Sequence, residues 1–176
     1  MEKKQILVLS SEGHIPNENE FPGDLVFKKW TPGLFKLIPP NSPFSYILFW
    51  LAHYMKIFRN KSYCAYYIEI DNKSASSVVC IPSLFIWPFM NKNDIQTKNS
   101  FTPPKYRGQG FGYALRRHTL KEFYNEGRTL WCLIHSDNLP SLAVNKKAGM
   151  VVKGYYKVKK KVLFFINIGS VVSINE

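Results

Sequence analysis

Between Tyr106 and Leu115 the chain reads YRGQGFGYAL, with Gly108, Gly110 and Gly112 directly ahead of a segment able to coil into a helix. Glycine lets a backbone adopt unusual dihedrals and come close to another group. A helix N-terminus offers amide hydrogens without partners and a partial positive charge. With Arg107 adding a full charge, this combination can cradle a bulky anion such as a diphosphate. The alternative is a glycine turn with no ligand. Two familiar phosphate motifs fit poorly. A P-loop needs Lys-Ser/Thr after its last glycine, where Tyr113-Ala114 stand. A dinucleotide fingerprint needs G-x-G-x-x-G after a parallel strand, whereas the spacing here is G-x-G-x-G after strands that read as antiparallel.

The elements around the loop must place it at a strand-to-helix junction. KQILVLS reads as a first strand. Residues 13–45 carry prolines at 16, 22, 32, 39, 40 and 43 and read as loop with short helical pieces. Ser45 to Phe58 reads as a helix. YCAYYIEI, ASSVVCIPSLFIWPFM and IQTKNSFT read as a meander of antiparallel strands with turns at Asp71–Ser74 and Asn91–Asp94. Gly112 to Tyr124 reads as a helix ending near Gly127. Arg128 to His135 reads as a strand covered on both faces. A last helix, capped by Asp137 or Asn138 with Pro140 in its first turn, stops at Gly149. The chain closes as a hairpin around Lys159-Lys160-Lys161. This order predicts one mixed α/β layered domain spanning residues 1–176.

Two segments resemble the GNAT superfamily, the GCN5-related N-acetyltransferases. Arg107-x-x-Gly110-x-Gly112 is similar to the family's R/Q-x-x-G-x-G/A signature, within PPKYRGQGFGYAL. Downstream, DNLPSLAVNKKAGM is similar to N-x-x-S-x-x-V-x-x-K-x-G-F through Asn138, Ser141, Val144, Lys147, Gly149 and Met150. The motifs cover roughly residues 95–150, and residues 1–60 agree by layout only. The resemblance implies an α/β (α+β) fold with a mixed, mostly antiparallel sheet of about six to seven strands flanked by helices, and a splayed strand pair at the cofactor site. It implies acetyl-CoA as cofactor, held by Arg107, Gly108, Gln109, Gly110, Phe111 and Gly112 at the diphosphate. The main chain of Ser100, Phe101 and Thr102 would serve the pantetheine arm, with Asn138 and Ser141 on its other side.

The implied reaction is direct attack of a neutral amine on the thioester, which needs a base and, less strictly, an acid. Family members often carry a tyrosine four residues before the helix-ending glycine, and some a glutamate on the strand before the loop. Asn145 and Gln96 occupy those positions here. The remaining candidates are Tyr155 and Tyr156 on the next strand, His135 at a strand end and Asp94 in a turn, each with an ordinary structural role as its alternative. Trp30, Phe44, Tyr46, Trp50, Trp87 and Phe89 form an aromatic set that either packs the core or walls an acceptor pocket. Lys157, Lys159, Lys160 and Lys161 either hold a phosphate at its mouth or lie in a solvated turn.

The acceptor expected is a small-molecule amine such as an amino sugar, free or nucleotide-linked. The alternatives are a protein amine, a degenerate CoA-binding module with no turnover, or a basic protein of nucleic-acid or membrane surfaces, suggested by the charge and by residues 46–58. The 24 basic and 12 acidic residues give a net charge of +12, which favours polyanionic ligands without specifying nucleic acid. Cys64, Cys80 and Cys132 are scattered, as are the four histidines, so no metal site is expected and the thiols suit a reducing compartment. The apolar run Tyr46–Phe58 is too short to span a bilayer, and the first ten residues are too polar for a signal peptide. A cytoplasmic protein without a transmembrane segment, able to form a homodimer, is the expectation.

Overall fold

The computed structural model describes residues 5–11, 25–84, 87–124, 127–162 and 166–173, with backbone alone in 159–168. Its elements are β1 (Ile6–Ser11), β2 (Val26–Trp30), a 3-10 turn (Phe44–Tyr46) leading into α1 (Ile47–Tyr54), β3 (Cys64–Ile70), β4 (Lys73–Pro82) and β5 (Ile95–Phe101). A second 3-10 turn (Pro104–Tyr106), α2 (Phe111–Tyr124), β6 (Leu130–His135), α3 (Leu139–Lys147), β7 (Met150–Val162) and β8 (Ile166–Ser173) follow. The strands form one sheet in the order β2-β3-β4-β5-β6-β1-β7-β8. Every neighbouring pair is antiparallel except β5–β6, which is parallel. That exception follows from α2, whose crossover carries the chain between the two strands.

Sequence patterns account for most of these elements. Asp71 and Asn72 hold φ at +50° and +56°, so β3 and β4 turn through a two-residue hairpin that matches strand twist. Asn138 caps α3, its Oδ1 accepting from the Ser141 amide at 3.3 Å, and Gly149 at φ +95° ends it. Pro82 ends β4, where the sequence suggested a strand continuing to Met90. The segment beyond it folds back instead, and buries Trp87 and Met90.

Two further expectations are corrected. Among the described residues the sheet has eight strands, because β2 lies in the proline-rich stretch expected to be loop. Phe27 on β2 stacks on His118 of α2 at 4.2 Å, and Lys28 pairs with Glu69 at 3.5 Å, which anchors this edge strand. The final hairpin does not turn at Lys159-Lys160-Lys161. Strand β7 runs through them to Val162, and the reversal lies outside the described residues.

Each face of the sheet has its own core. On one, α2 and α3 cover Leu9, Cys64, Cys80, Ile95, Leu130 and Cys132. On the other, the turn before α1 and α1 itself pack Tyr46 and Phe49 against Phe58, Tyr63, Val79, Ile81 and Trp87. All three cysteines are buried and free. Trp30 and Phe89 pack against this second core, and Trp50 donates to Gly33 O at 2.9 Å, so the aromatic set is mostly structural. Phe44 is exposed.

Candidate acyl-transfer site

The site begins where the sheet opens. Strands β5 and β6 pair only at Ile95–Leu130, Gln96–Trp131 and Thr97–Cys132. Beyond Thr97, β5 continues against β4 while β6 continues against β1, leaving a fork. A bulge drives the parting. The β4–β5 register slips between Val79–Lys98 and Ser77–Phe101, and Asn99 there takes φ +48°. The Asn99 amide nitrogen donates to Asn41 O at 3.0 Å and Ser42 Oγ at 3.2 Å, so the 39–43 loop holds the bulge.

The glycine loop closes one end of the fork. Gly108 and Gly110 hold φ at +75° and +80°, with open space where a Cβ would project. The Gly110 carbonyl accepts from Ala114 N at 3.0 Å and so starts α2. Among the described residues, no protein acceptor meets the amides of residues 108–113. Arg107 braces the loop, its Nε donating to Thr102 O at 3.1 Å. No acidic residue stands in the first turn of α2. The arrangement is a row of free donors at a positive helix end, suited to a large anion.

The glycine loop, β4, the end of β5, α2 and α3 line a cavity of about 600 Å³. Of the residues expected to hold the cofactor, Ser100, Phe101, Thr102, Arg107, Gly108, Gly110, Phe111, Gly112, Asn138 and Ser141 line it. Gln109 does not; its side chain turns back to Lys105 O at 3.2 Å. Asn145 also lines the cavity and is 1% exposed. Its Nδ2 donates to Ser141 O at 2.8 Å, while its Oδ1 has no protein partner. A buried acceptor without a donor is costly, so a ligand N–H fits this point.

The residues expected to move protons lie away from this cavity. Asp94 is buried, and its carboxylate accepts from Asn91 N at 2.7 Å, Trp131 Nε1 at 2.9 Å and Thr129 N at 3.4 Å, the pattern of a turn clamp. His135 is exposed at the end of β6, opposite Ile6, and its carbonyl accepts from Asn138 N at 2.9 Å. Tyr156 is buried against Phe89 on the α1 face, and burial raises its phenol pKa, opposed by a backbone bond from Gly169. Tyr155 sits beside it on β7, opposite Leu7.

Two residues at the fork were not singled out by the sequence. Lys98 follows the last β5–β6 pair, on the face opposite α2. Its ammonium lies 5.8 Å from the Phe49 ring centre, and burial lowers its pKa. Arg116 of α2 is 3% exposed and lines the cavity, where a helix sequence ALRRHTL gives no sign that this arginine faces inward. Gln96, at the fork, is fully buried with both side-chain polar atoms unpartnered. Among the described residues no cluster of His, Cys, Asp or Glu is placed to bind a metal, and no helix is long and apolar enough to cross a membrane.

No protein-family model and no curated protein matches the chain by sequence. Solved structures do share its fold. The GCN5-related N-acetyltransferase from Sphaerobacter thermophilus is 16% identical with a TM-score of 0.56, over 85% of this chain and 49% of that one. A GNAT-family acetyltransferase from Colwellia psychrerythraea is 14% identical with a TM-score of 0.55, over 85% and 53%. The ribosomal-protein-S18-alanine N-acetyltransferase from Escherichia coli is 15% identical with a TM-score of 0.52, over 83% and 90%. This chain thus spans about half the length of the first two. The chain has the GNAT fold, with the splayed strand pair that its two sequence motifs led one to expect.

Proposed function

We propose that the protein is an acyltransferase that takes acetyl-CoA and passes its acyl group to a primary amine by direct attack. The observation that carries this reading is the row of unpartnered amides at residues 108–113, opening onto a cavity between the end of β5 and helices α2 and α3. The coenzyme fits the donor set. Those amides and Arg107 would hold its diphosphate, the main chain of Ser100–Thr102 and Asn138 its arm, and Asn145 Oδ1 an amide hydrogen of that arm. Bound there, it would supply an activated thioester.

The chain's own residues set the proton balance. Lys98 lies on the α1 face of the fork, and to the extent that its ammonium stays charged against the burial that lowers its pKa, it disfavours a second ammonium and favours the neutral form of an incoming amine. Tyr156 is a candidate acid because a phenol holds its proton at neutral pH, although burial, by raising its pKa, makes that proton harder to give up. Tyr155 is the other candidate acid. His135 is the more accessible candidate base, with Asp94 committed to its three donors. The acceptor is a small amine, an amino sugar or its nucleotide-linked form, with the exposed Lys157 available to an anion on it. A second reading, a CoA-binding module without turnover, is favoured by Asn145 and Gln96, neither of which can exchange a proton at neutral pH.

Acetyl-CoA and CoA should each raise the melting temperature. At a hundred times Kd the gain is about 2.7 kcal/mol, or roughly 5–11 °C for a domain of this size. Thiol release from acetyl-CoA across a panel of amines then separates the readings. Release with one acceptor class supports the enzyme; a thermal shift with no release from any amine supports the module. No shift with either ligand would overturn both.

A further inference from the structure

Arg116 carries a charge that the coenzyme reading leaves unused. Its Nη1 donates to Thr97 Oγ1 at 2.6 Å and its Nη2 to Ser100 Oγ at 2.8 Å. Both partners are neutral hydroxyls. Among the described residues no carboxylate pairs with this guanidinium. A guanidinium has five N–H donors, so most of its donors and all of its charge are unmatched although it is 3% exposed. Buried charges ordinarily have a partner, because desolvating one alone costs several kcal/mol.

Its position says what kind of partner is missing. Thr97 is the last β5 residue paired to β6, so the guanidinium sits at the closed end of the fork. The free amides of residues 108–113 lie at the start of α2, about 7.5 Å back along the helix axis from residue 116. The guanidinium itself reaches further, to Ser100 and Thr97, two and five residues along β5 from the Thr102 carbonyl that braces the loop, or about 7–16 Å, so a ligand anchored by its diphosphate at the loop and running along β5 would bring its acyl end towards Arg116. The adjoining wall mixes Ser76 and Ser100 with Val78, Phe101 and Leu115, so Arg116 is its charged group. A methyl group would leave the guanidinium without a counter-charge, whereas a carboxylate gains a charge-assisted pair with a planar fork of donors.

We propose that the inner end of the cavity is a carboxylate receptor built on Arg116, and that the preferred donor is the coenzyme A monothioester of a short dicarboxylic acid. This rests on the coenzyme reading above and refines its acyl group, with acetyl-CoA the weaker donor. The transfer keeps the same balance. The amine nitrogen bonds to the thioester carbon, the carbon–sulfur bond breaks, the sulfur keeps the electron pair, and the proton lost by the amine ends on the thiol or in solvent. The distal carboxylate takes no part except to bind.

The test compares succinyl-CoA with butyryl-CoA, which are similar in size and differ in the carboxylate, by calorimetric titration of the whole protein with acetyl-CoA and free CoA alongside. The wild type should bind succinyl-CoA at least tenfold more tightly than butyryl-CoA, which corresponds to about 1.4 kcal/mol. In Arg116→Met the ratio should fall to within about twofold, and Arg116→Lys should keep part of it. Equal wild-type affinities for the two thioesters would overturn the receptor while leaving the coenzyme reading intact, and they decide the matter even if a variant fails to fold. A preference that survives in Arg116→Met would also overturn it. If free CoA and every thioester fail to bind, the coenzyme reading falls and this inference with it.

Discussion

Gly110 and Gly112 sit two positions apart in one motif, yet the backbone asks different things of them. Gly110 holds φ at +80°, where an L side chain is strained by about 1–2 kcal/mol. Gly112 is helical, and a Cβ there would meet Thr102 Oγ1 at 3.6 Å, an ordinary contact. Gly110→Ala should therefore lower the melting temperature of the free protein by roughly 2–8 °C and abolish the shift given by acetyl-CoA. Gly112→Ala should leave the free protein as stable or slightly more so, since alanine is the better helix former. Thermal melts with and without acetyl-CoA read both effects. A full ligand shift in Gly110→Ala would remove the loop from the site. The loop was legible in the sequence because glycine announces its own backbone. Arg116 was not, because a helical arginine reads as solvated surface until the sheet is laid against it. Its inward turn depends on where Thr97 and Ser100 fall on β5, a long-range fact that no local window contains.

At the scale of elements, α3 does two jobs that a pair of substitutions can separate. Asn138 caps the helix through its Oδ1 and also lines the cavity. Asn138→Ala should cost about 1 kcal/mol, seen as a melting temperature lower by roughly 2–4 °C without ligand. Asn138→Asp should keep the cap and the melting temperature, but weaken coenzyme binding by setting a negative charge beside an anion. If Asn138→Asp binds CoA as tightly as the wild type, the residue is a cap only. This helix could be read from sequence because cap, proline and terminal glycine are local signals. Strand β7 could not. Three consecutive lysines look like a turn, yet Lys160 and Lys161 pair with β8 beyond a bulge at Lys159, and pairing is decided by the partner strand. Likewise β2 was hidden among prolines, and only its partners β3 and α2 make Val26–Trp30 a strand.

For the whole molecule, the layer order was legible and the sheet order was not. Strand β1 lies between β6 and β7, its residues facing partners more than a hundred positions away, and nothing in KQILVLS encodes that choice. The same long-range docking makes global stability depend on pH. His118 of α2 stacks on Phe27 of β2 and meets Tyr66 of β3 edge-on, with Glu122, Lys121 and Lys29 as its charged neighbours. Burial lowers its pKa; Glu122 opposes this, while Lys121 and Lys29 add to it. His53, among Tyr54 and Tyr63, is lowered by burial as well. In both cases the unfolded chain binds the proton more tightly than the folded one. The stability these groups contribute is complete above their unfolded pKa of about 6.5, and is lost as the pH falls through the lower folded values. Urea unfolding between pH 7.5 and 5 should show stability declining towards acid. In His118→Gln the decline should be shallower, with the remainder left to His53 and the carboxylates. An equal or steeper decline in the variant would mean that the α2–β2–β3 contact is indifferent to protonation.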